Sequence, residues 1–286
     1  MNKKQILALA GAACMMTALL AGCGNGNNAD QASSGEEGGS GDSALSGKIA
    51  TGGSTSMQSL MGMLQEDFMA KNPGVTISYD PTGSGAGITG ASDGSLDIGL
   101  SSRALHDDET DVEAITVCLD GIAIVTNTAN PVTNLTLDQL AGIFTGEITN
   151  WSEVGGNDAE IVVIGREAGS GTRDGFEEIV GVADNCKYAQ ELTATGAVTA
   201  AVAANENAIG YASLSAVDDT VNAVQVDGVD CTEETVKDGT YAIQRPFNFV
   251  LKKDAERSEA AQAFIDYVTS GEANEWITEA GCVPVA

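Results

Sequence analysis

Ile161-Val162-Val163-Ile164-Gly165-Arg166-Glu167-Ala168-Gly169-Ser170-Gly171-Thr172 is the stretch that decides how this chain is read. Residues 161–164 are β-branched and few, as suits a buried strand, and Phe176, Ile179 and Val180 beyond the loop read as a helix face. Between them lies a loop of Gly with Ser and Thr that opens a helix. The same order occurs twice earlier. Lys48-Ile49-Ala50 runs as a strand into Thr51-Gly52-Gly53-Ser54-Thr55-Ser56, after which Met57, Leu60, Met61, Leu64 and Phe68 recur at helical spacing. Asn72-Pro73-Gly74 ends that helix. Val75, Ile77 and Tyr79 then alternate as a strand before Thr82-Gly83-Ser84-Gly85-Ala86-Gly87. Leu96, Ile98 and Leu100 predict another alternating strand, closing on Ser101-Ser102-Arg103, and residues 115–125 are an apolar run fit for a buried strand. This alternation predicts an α/β fold with mostly parallel sheets.

The three loops share one physical property. The first turn of a helix leaves backbone N–H groups without intrahelical partners, and the aligned peptide dipoles place partial positive charge there. Glycine lets a ligand approach the main chain, and Ser and Thr hydroxyls add donors. Three such ends meeting at one point enclose an anion without a lysine. Ser and Thr are also good N-caps, which accounts for any one loop alone but not for three, one of them carrying Arg166.

The 286 residues hold 41 Asp and Glu against 13 Lys and Arg, a formal charge of −28, with a single His. So acidic a chain argues against a coat for nucleic acid or anionic lipid, and one His removes the usual zinc sites. The charge does not forbid an anion. Exposed charges are screened over roughly 8 Å at physiological salt, whereas donors touching a buried anion are hardly screened.

The N-terminus reads as an address. Lys3 and Lys4 precede an apolar run over residues 6–20, too short for a convincing membrane span, ending in Leu20-Ala21-Gly22-Cys23. Small residues before a cysteine resemble the lipobox of bacterial lipoproteins, which implies a signal peptide over residues 1–22 and a lipidated Cys23. Residues 24–46 are Gly, Asn, Ser, Ala and acidic residues, a flexible tether that cannot repay its ordering entropy. Folding is expected to start near Gly47. Cys118, Cys186, Cys231 and Cys282 contain no CxxC pair, so no metal site is expected; four cysteines allow three pairings, of which Cys186–Cys231 with Cys118–Cys282 keeps each bridge within one of the lobes that the resemblance given below implies, or they remain free thiols.

Taken together, Gly53-Ser54-Thr55-Ser56, Gly83-Ser84-Gly85, Asp97-Ile98-Gly99-Leu100-Ser101-Ser102-Arg103 and Arg166-Glu167-Ala168-Gly169-Ser170-Gly171-Thr172-Arg173 resemble the substrate-binding lipoproteins of bacterial phosphate ABC importers. Ile143-Phe144-Thr145-Gly146-Glu147-Ile148-Thr149-Asn150-Trp151 and Ala208-Ile209-Gly210-Tyr211 support the likeness, which runs from about Gly47 to Ala286. The resemblance implies a two-lobed periplasmic-binding-protein fold of type II, with the ligand in the interlobe cleft. Lobe one is then expected over residues 47–125 plus 243–286 and lobe two over 126–242. Crossings are expected at Val125-Thr126-Asn127 and Ile243-Gln244-Arg245-Pro246.

It also implies a phosphate site of Thr55, Ser56, Ser84, Gly85, Ser102, Arg103, Arg166, Ser170, Gly171 and Thr172. No catalytic residue, metal or cofactor is implied. The implied partners are inorganic phosphate and the permease and ATPase subunits of an ABC importer, with no nucleic acid. The protein is expected to be a monomer tethered by lipid on the outer face of the cell membrane. Ser102 stands where many members of that family carry an Asp able to accept a hydrogen bond from protonated phosphate, which leaves sulfate and molybdate open as ligands. Arg103 either touches the ligand or pairs with an acid at the cleft rim.

Two rival readings are weaker. Gly85-Ala86-Gly87-Ile88-Thr89-Gly90 matches a dinucleotide fingerprint with Asp107 about twenty residues on, but leaves the other two loops unexplained. An exported hydrolase acting on phosphoesters needs a base or metal ligands. His106 is the only imidazole, in Leu105-His106-Asp107-Asp108-Glu109, and that segment reads as a polar helix start.

Overall fold

The computed structural model describes residues 44–286; the expected leader, Cys23 and the tether up to residue 43 lie outside the described residues. The first half of the chain is built on short strands. Strand β1 (Ser46–Gly53) passes through one 3-10 turn into α1 (Gln58–Lys71), and β2 (Gly74–Asp80) leads to α2 (Ser84–Asp93) and β3 (Ile98–Ser101). Asn72 ends α1, its side-chain amide and backbone N–H both donating to the Phe68 carbonyl. The 16-residue strand β4 (Val112–Asn127) follows, then β5 (Asn134–Leu135) and α3 (Leu137–Thr145). A capping box of Thr136 and Gln139 starts α3.

Next come β6 (Val162–Arg166), α4 (Gly171–Val180), β7 (Gln190–Leu192) and α5 (Thr195–Ala203). The chain continues with β8 (Ala208–Ser213), β9 (Val221–Val226) and α6 (Glu233–Lys237). It returns through β10 (Gln244–Lys252) and finishes with α7 (Glu259–Thr269), α8 (Asn274–Glu279) and β11 (Val283–Pro284).

The strands run in the order β2-β1-β3-β10-β4-β8-β6-β7. Strand β1 pairs in parallel with β2 and β3, and β6 pairs in parallel with β7 and β8. These are the strand–loop–helix units that the sequence predicts to be parallel. The long strands β4 and β10 pair antiparallel with each other, β10 with β3, and β4 with β8, so the sheet as a whole is mixed.

Two clusters of buried apolar side chains flank this strand pair. One joins Met57, Leu60, Leu64 and Phe68 of α1 to Val117, Cys118, Phe247, Phe249 and Phe264. The other joins Ile122, Ile124 and Val125 of β4 to Phe144, Phe176, Val198, Tyr211 and Ile243. Core membership therefore changes within β4 between Cys118 and Ile122, ahead of the Val125–Asn127 step expected from the sequence. It changes back in β10 between Ile243 and Phe247. Asp120 and Gly121 stand between Leu119 and Ile122, so the apolar run expected over residues 115–125 is broken at the passage itself.

At this passage Asp120 and Arg245 form an ion pair, with Arg245 Nε and Nη2 lying 3.0 and 2.9 Å from Asp120 Oδ2. The Ser213 hydroxyl donates to Oδ1 at 2.7 Å. Burial pushes the Asp120 carboxyl up and the Arg245 guanidinium down, each against the pull of its partner.

Two local expectations change, and the alternatives left open at the cysteines narrow to one. The segment from Leu105 to Glu109 is a turn, not a helix start, because the Glu109 carboxylate is drawn to Arg103 and to the His106 N–H. Strand β3 begins at Ile98 and is buried along its whole length, so Leu96 lies before it and no alternation persists. The four cysteines of the folded part are free thiols, with Cys282 beside Cys118, a contact that together with burial holds the Cys282 thiol well up.

Removing one member of a buried ion pair strands the other charge, at a cost of about 3–5 kcal/mol. Asp120→Ala is expected to lose that much stability, read as a lower urea midpoint with an unchanged m-value.

Candidate functional site

Five chain segments bring polar groups to the space between the two cores. Three come from the side of β1, β2 and β3. After β1, Gly53 takes φ +132°, and its carbonyl accepts the N–H groups of Thr82 and Gly83 at 2.9 and 2.8 Å. This ties the first two loops together and delivers Thr55 and Ser56, both buried, to the start of the α1 segment. Ser84 begins α2 and is 1% exposed. Ser102 follows β3; its N–H donates to Ser84 Oγ at 3.0 Å and its own Oγ lies 3.1 Å from the same atom.

The other two segments come from β6 and β7. Arg166 ends β6 and is 1% exposed. Its Nε and Nη2 donate to both Glu167 carboxylate oxygens at 2.8 Å, and Nε also reaches the Leu192 carbonyl at 3.0 Å. Nη1 is left to point at Thr195 Oγ1, 2.9 Å away. Ser170 caps α4 by accepting the Arg173 N–H, which places Gly171 and Thr172 in the first turn with their orphan N–H groups. Thr195 opens α5.

The two sides meet through hydroxyls. Thr55 Oγ1 lies 3.2 Å from Thr195 Oγ1, and Ser56 Oγ lies 2.7 Å from Thr172 Oγ1 and 3.0 Å from Thr195 Oγ1. A Cβ added at Gly171 would collide with Ser84 Oγ and stand 2.7 Å from Ser102 Oγ. Gly85 N–H donates to the Gly169 carbonyl at 3.0 Å. Thr55, Ser56, Ser84, Gly85, Ser102, Arg166, Ser170, Gly171 and Thr172 are thus gathered in one neighbourhood. A cleft of about 1070 Å³ opens onto it at Thr55, Ser56 and Thr195, between α1 and α5.

Arg103 behaves differently. Its guanidinium is bound to Glu109, to the Ala104 carbonyl and, through Nε, to Asp174, which leaves it paired with acids rather than turned to the hydroxyls. Burial opposes its charge, but Glu109 and Asp174 outweigh that and hold its pKa above the ordinary arginine value. The sequence reading left these two roles open, and the geometry takes the acid pair.

Thr195 is the residue that the sequence reading missed. Its signal is Thr193-Ala194-Thr195-Gly196 ahead of a helix, the same small-residue start as the other loops. The strand before it, β7, is three residues long and has no buried residue, so no apolar run draws attention to it.

The chemistry available is recognition by donors. Hydroxyls can each donate one proton and still accept another, helix N-termini supply N–H groups, and one guanidinium edge faces inward. The carboxylate next to Arg166 is occupied by that arginine. His106 sits in a surface turn, and among the described residues no group of three His, Cys, Asp or Glu is placed to hold a metal. The dinucleotide reading of residues 85–90 also has a packing explanation. A Cβ at Gly87 would stand 2.7–2.8 Å from the carbonyls of Leu100 and Gly52, and one at Gly90 would strike the Leu96 side chain, so these glycines let α2 lie on the sheet.

Comparison with known proteins places the chain in a family. The family model described as a PBP superfamily domain matches residues 38–272. The phosphate-binding protein PstS of Bacillus subtilis is 33% identical over 292 residues, covering 99% of this chain and 95% of its own. That of Borreliella burgdorferi is 27% identical over 247 residues, covering 82% and 88%. A Clostridium perfringens protein solved with bound phosphate, described as a candidate phosphate ABC transporter substrate-binding protein, superposes with TM-score 0.79 at 42% identity, covering 84% of this chain and all of its own. An ABC-type phosphate transport receptor of Vibrio cholerae gives TM-score 0.69 at 38% identity, covering 82% and 99%. With the fold, the loop order and these relatives in agreement, the chain belongs to the PBP superfamily and, within it, to the phosphate-binding substrate-binding proteins of phosphate ABC transporters.

Proposed function

We propose that the protein is an extracytoplasmic receptor that captures inorganic phosphate and hands it to an ABC permease driven by its ATPase subunits. The observation that carries this reading is the convergence of Thr55, Ser56, Thr172, Thr195 and the Arg166 Nη1 edge within hydrogen-bond range across the cleft. A tetrahedral oxyanion offers acceptors on every side, and donors from both lobes reach it together only when the cleft is shut. Binding therefore favours the closed shape that a permease can recognise. The role is that of a receptor and not an enzyme.

The proposed ligand set is Thr55, Ser56, Ser84, Gly85, Ser102, Arg166, Ser170, Gly171 and Thr172, with Thr195 added. The proposed lobes are those expected from the sequence, with the first passage moved back to Asp120. Lipid on Cys23, a tether that ends before β1 at Ser46 and a monomeric state complete the proposal, supported by the lipobox-like Leu20-Ala21-Gly22-Cys23 and the polar segment after it.

Ser102 and Ser84 bear on which oxyanion is held. Each hydroxyl can turn to accept a hydrogen bond from a protonated ligand oxygen, whereas the Glu167 carboxylate is taken by Arg166. Calorimetric titration with phosphate, sulfate and molybdate at two pH values is expected to show tightest binding of phosphate. A preference for sulfate or molybdate would move the ligand identity while keeping the site.

Arg166→Ala removes the one guanidinium facing the ligand and strands Glu167. The expected loss of affinity is about 2–5 kcal/mol, the range for breaking a buried charge-assisted contact. Unchanged affinity would overturn the assignment of Arg166.

Gly171→Ala places a methyl group against Ser84 and Ser102. It is expected to weaken phosphate binding at least tenfold, about 1.4 kcal/mol, with the thermal midpoint held within a few degrees.

A further inference from the structure

Arg103 is fixed within its own lobe before it meets the other. Its carbonyl accepts from the Ser101 hydroxyl at 2.9 Å and from the Asn248 side-chain amide at 2.9 Å. Its Nη1 and Nη2 lie 2.9 and 2.7 Å from the two oxygens of Glu109, and Nη1 also donates to the Ala104 carbonyl at 2.7 Å. Glu109 is itself held by the His106 N–H at 2.7 Å. The guanidinium is therefore pinned flat, 8% exposed, with only Nε uncommitted inside the lobe. Nε reaches across to Asp174 Oδ2 at 3.0 Å.

Asp174 belongs to the first turn of α4, the helix that also carries Gly171 and Thr172, and its N–H is bonded to the Ser170 carbonyl at 2.9 Å. The Asp174 oxygens have no other side-chain partner among the described residues. Burial pushes this carboxyl up despite Arg103, so a charged Asp174 is costly wherever the arginine is withdrawn. The pair thus joins a rigid element of one lobe to the ligand-bearing helix of the other.

We infer that Arg103 and Asp174 form a latch across the cleft that sets how long the site stays shut, with Glu109 as the anchor that keeps Arg103 in position. Arg103 is a positioning residue that acts through α4 and does not touch the ligand. A pre-oriented guanidinium gives up little side-chain entropy on meeting Asp174, so the contact gains more than an exposed pair of flexible chains does. The inference rests on the reading of the two lobes as parts that close around an oxyanion.

The test is stopped-flow release of inorganic phosphate from the mature chain, with Asp174→Asn as the main variant. Release is expected to quicken about tenfold, while the association rate stays within twofold, since affinity differences between related complexes reside mostly in dissociation. Arg103→Ala is expected to act likewise, and the double variant is expected to be no faster than Arg103→Ala alone. An unchanged release rate for Asp174→Asn, or single effects that simply add, would overturn the latch. Should Arg103→Ala fail to fold in a thermal melt, Asp174→Asn decides alone.

A wild-type chain that takes up no phosphate would count against the proposed function instead. The latch is then read without phosphate by small-angle X-ray scattering. Asp174→Asn is expected to shift the ligand-free chain towards the more open profile, and superimposable profiles would overturn the inference.

Discussion

The hydroxyl of Thr195 meets Arg166, Thr55 and Ser56 at once, and through that meeting the two halves of the molecule share one polar centre. A buried hydroxyl without a partner is costly, so the segments that carry these groups must be positioned closely. The tight loops are the consequence. Gly53 takes a backbone conformation few side chains tolerate so that its carbonyl can bind the second loop, and Gly171 stays bare because Ser84 and Ser102 stand against it. The cores on either side serve to hold strand ends at this distance.

A chain with 41 acidic residues and 13 basic ones still builds an anion site, and the way it spends its arginines explains how. Arg166 is matched by Glu167, Arg245 by Asp120, Arg173 by Glu177, and Arg103 by Glu109 and Asp174. Each buried cation is neutralised nearby, so the site presents oriented dipoles and hydroxyl donors more than net charge. Such donors act at contact range, where salt and the distant acidic surface have little influence. Capture from solution and retention in the cleft are in this way governed by different parts of the molecule.

The local units were legible in the sequence because glycine and hydroxyl residues at a strand-to-helix turn have a direct backbone reason to be there. Thr51–Ser56, Thr82–Gly87 and Arg166–Thr172 are strand-to-helix junctions of one kind as expected, but shorter as loops, because β1 runs on to Gly53, α2 already starts at Ser84 and α4 at Gly171. Thr195 escaped because β7 is short and exposed, so its loop lacked the apolar strand that marks the others. The turn at Leu105–Glu109 escaped for a different reason: Glu109 is taken by Arg103, a contact set by tertiary structure against local helix propensity. The antiparallel pairings of β4 and β10 are likewise invisible to hydropathy, since they join segments more than a hundred residues apart.

Those two long strands also decide what kind of movement the molecule can make. They pair continuously from Val112 with Lys252 to Gly121 with Gln244, interrupted only by a shift between Phe247 and Asn248, and the core changes sides partway along that ribbon. No loose loop links the halves at this point. An opening that keeps this ladder intact must be spread as twist over its paired residues, because no single loose segment is there to act as the hinge.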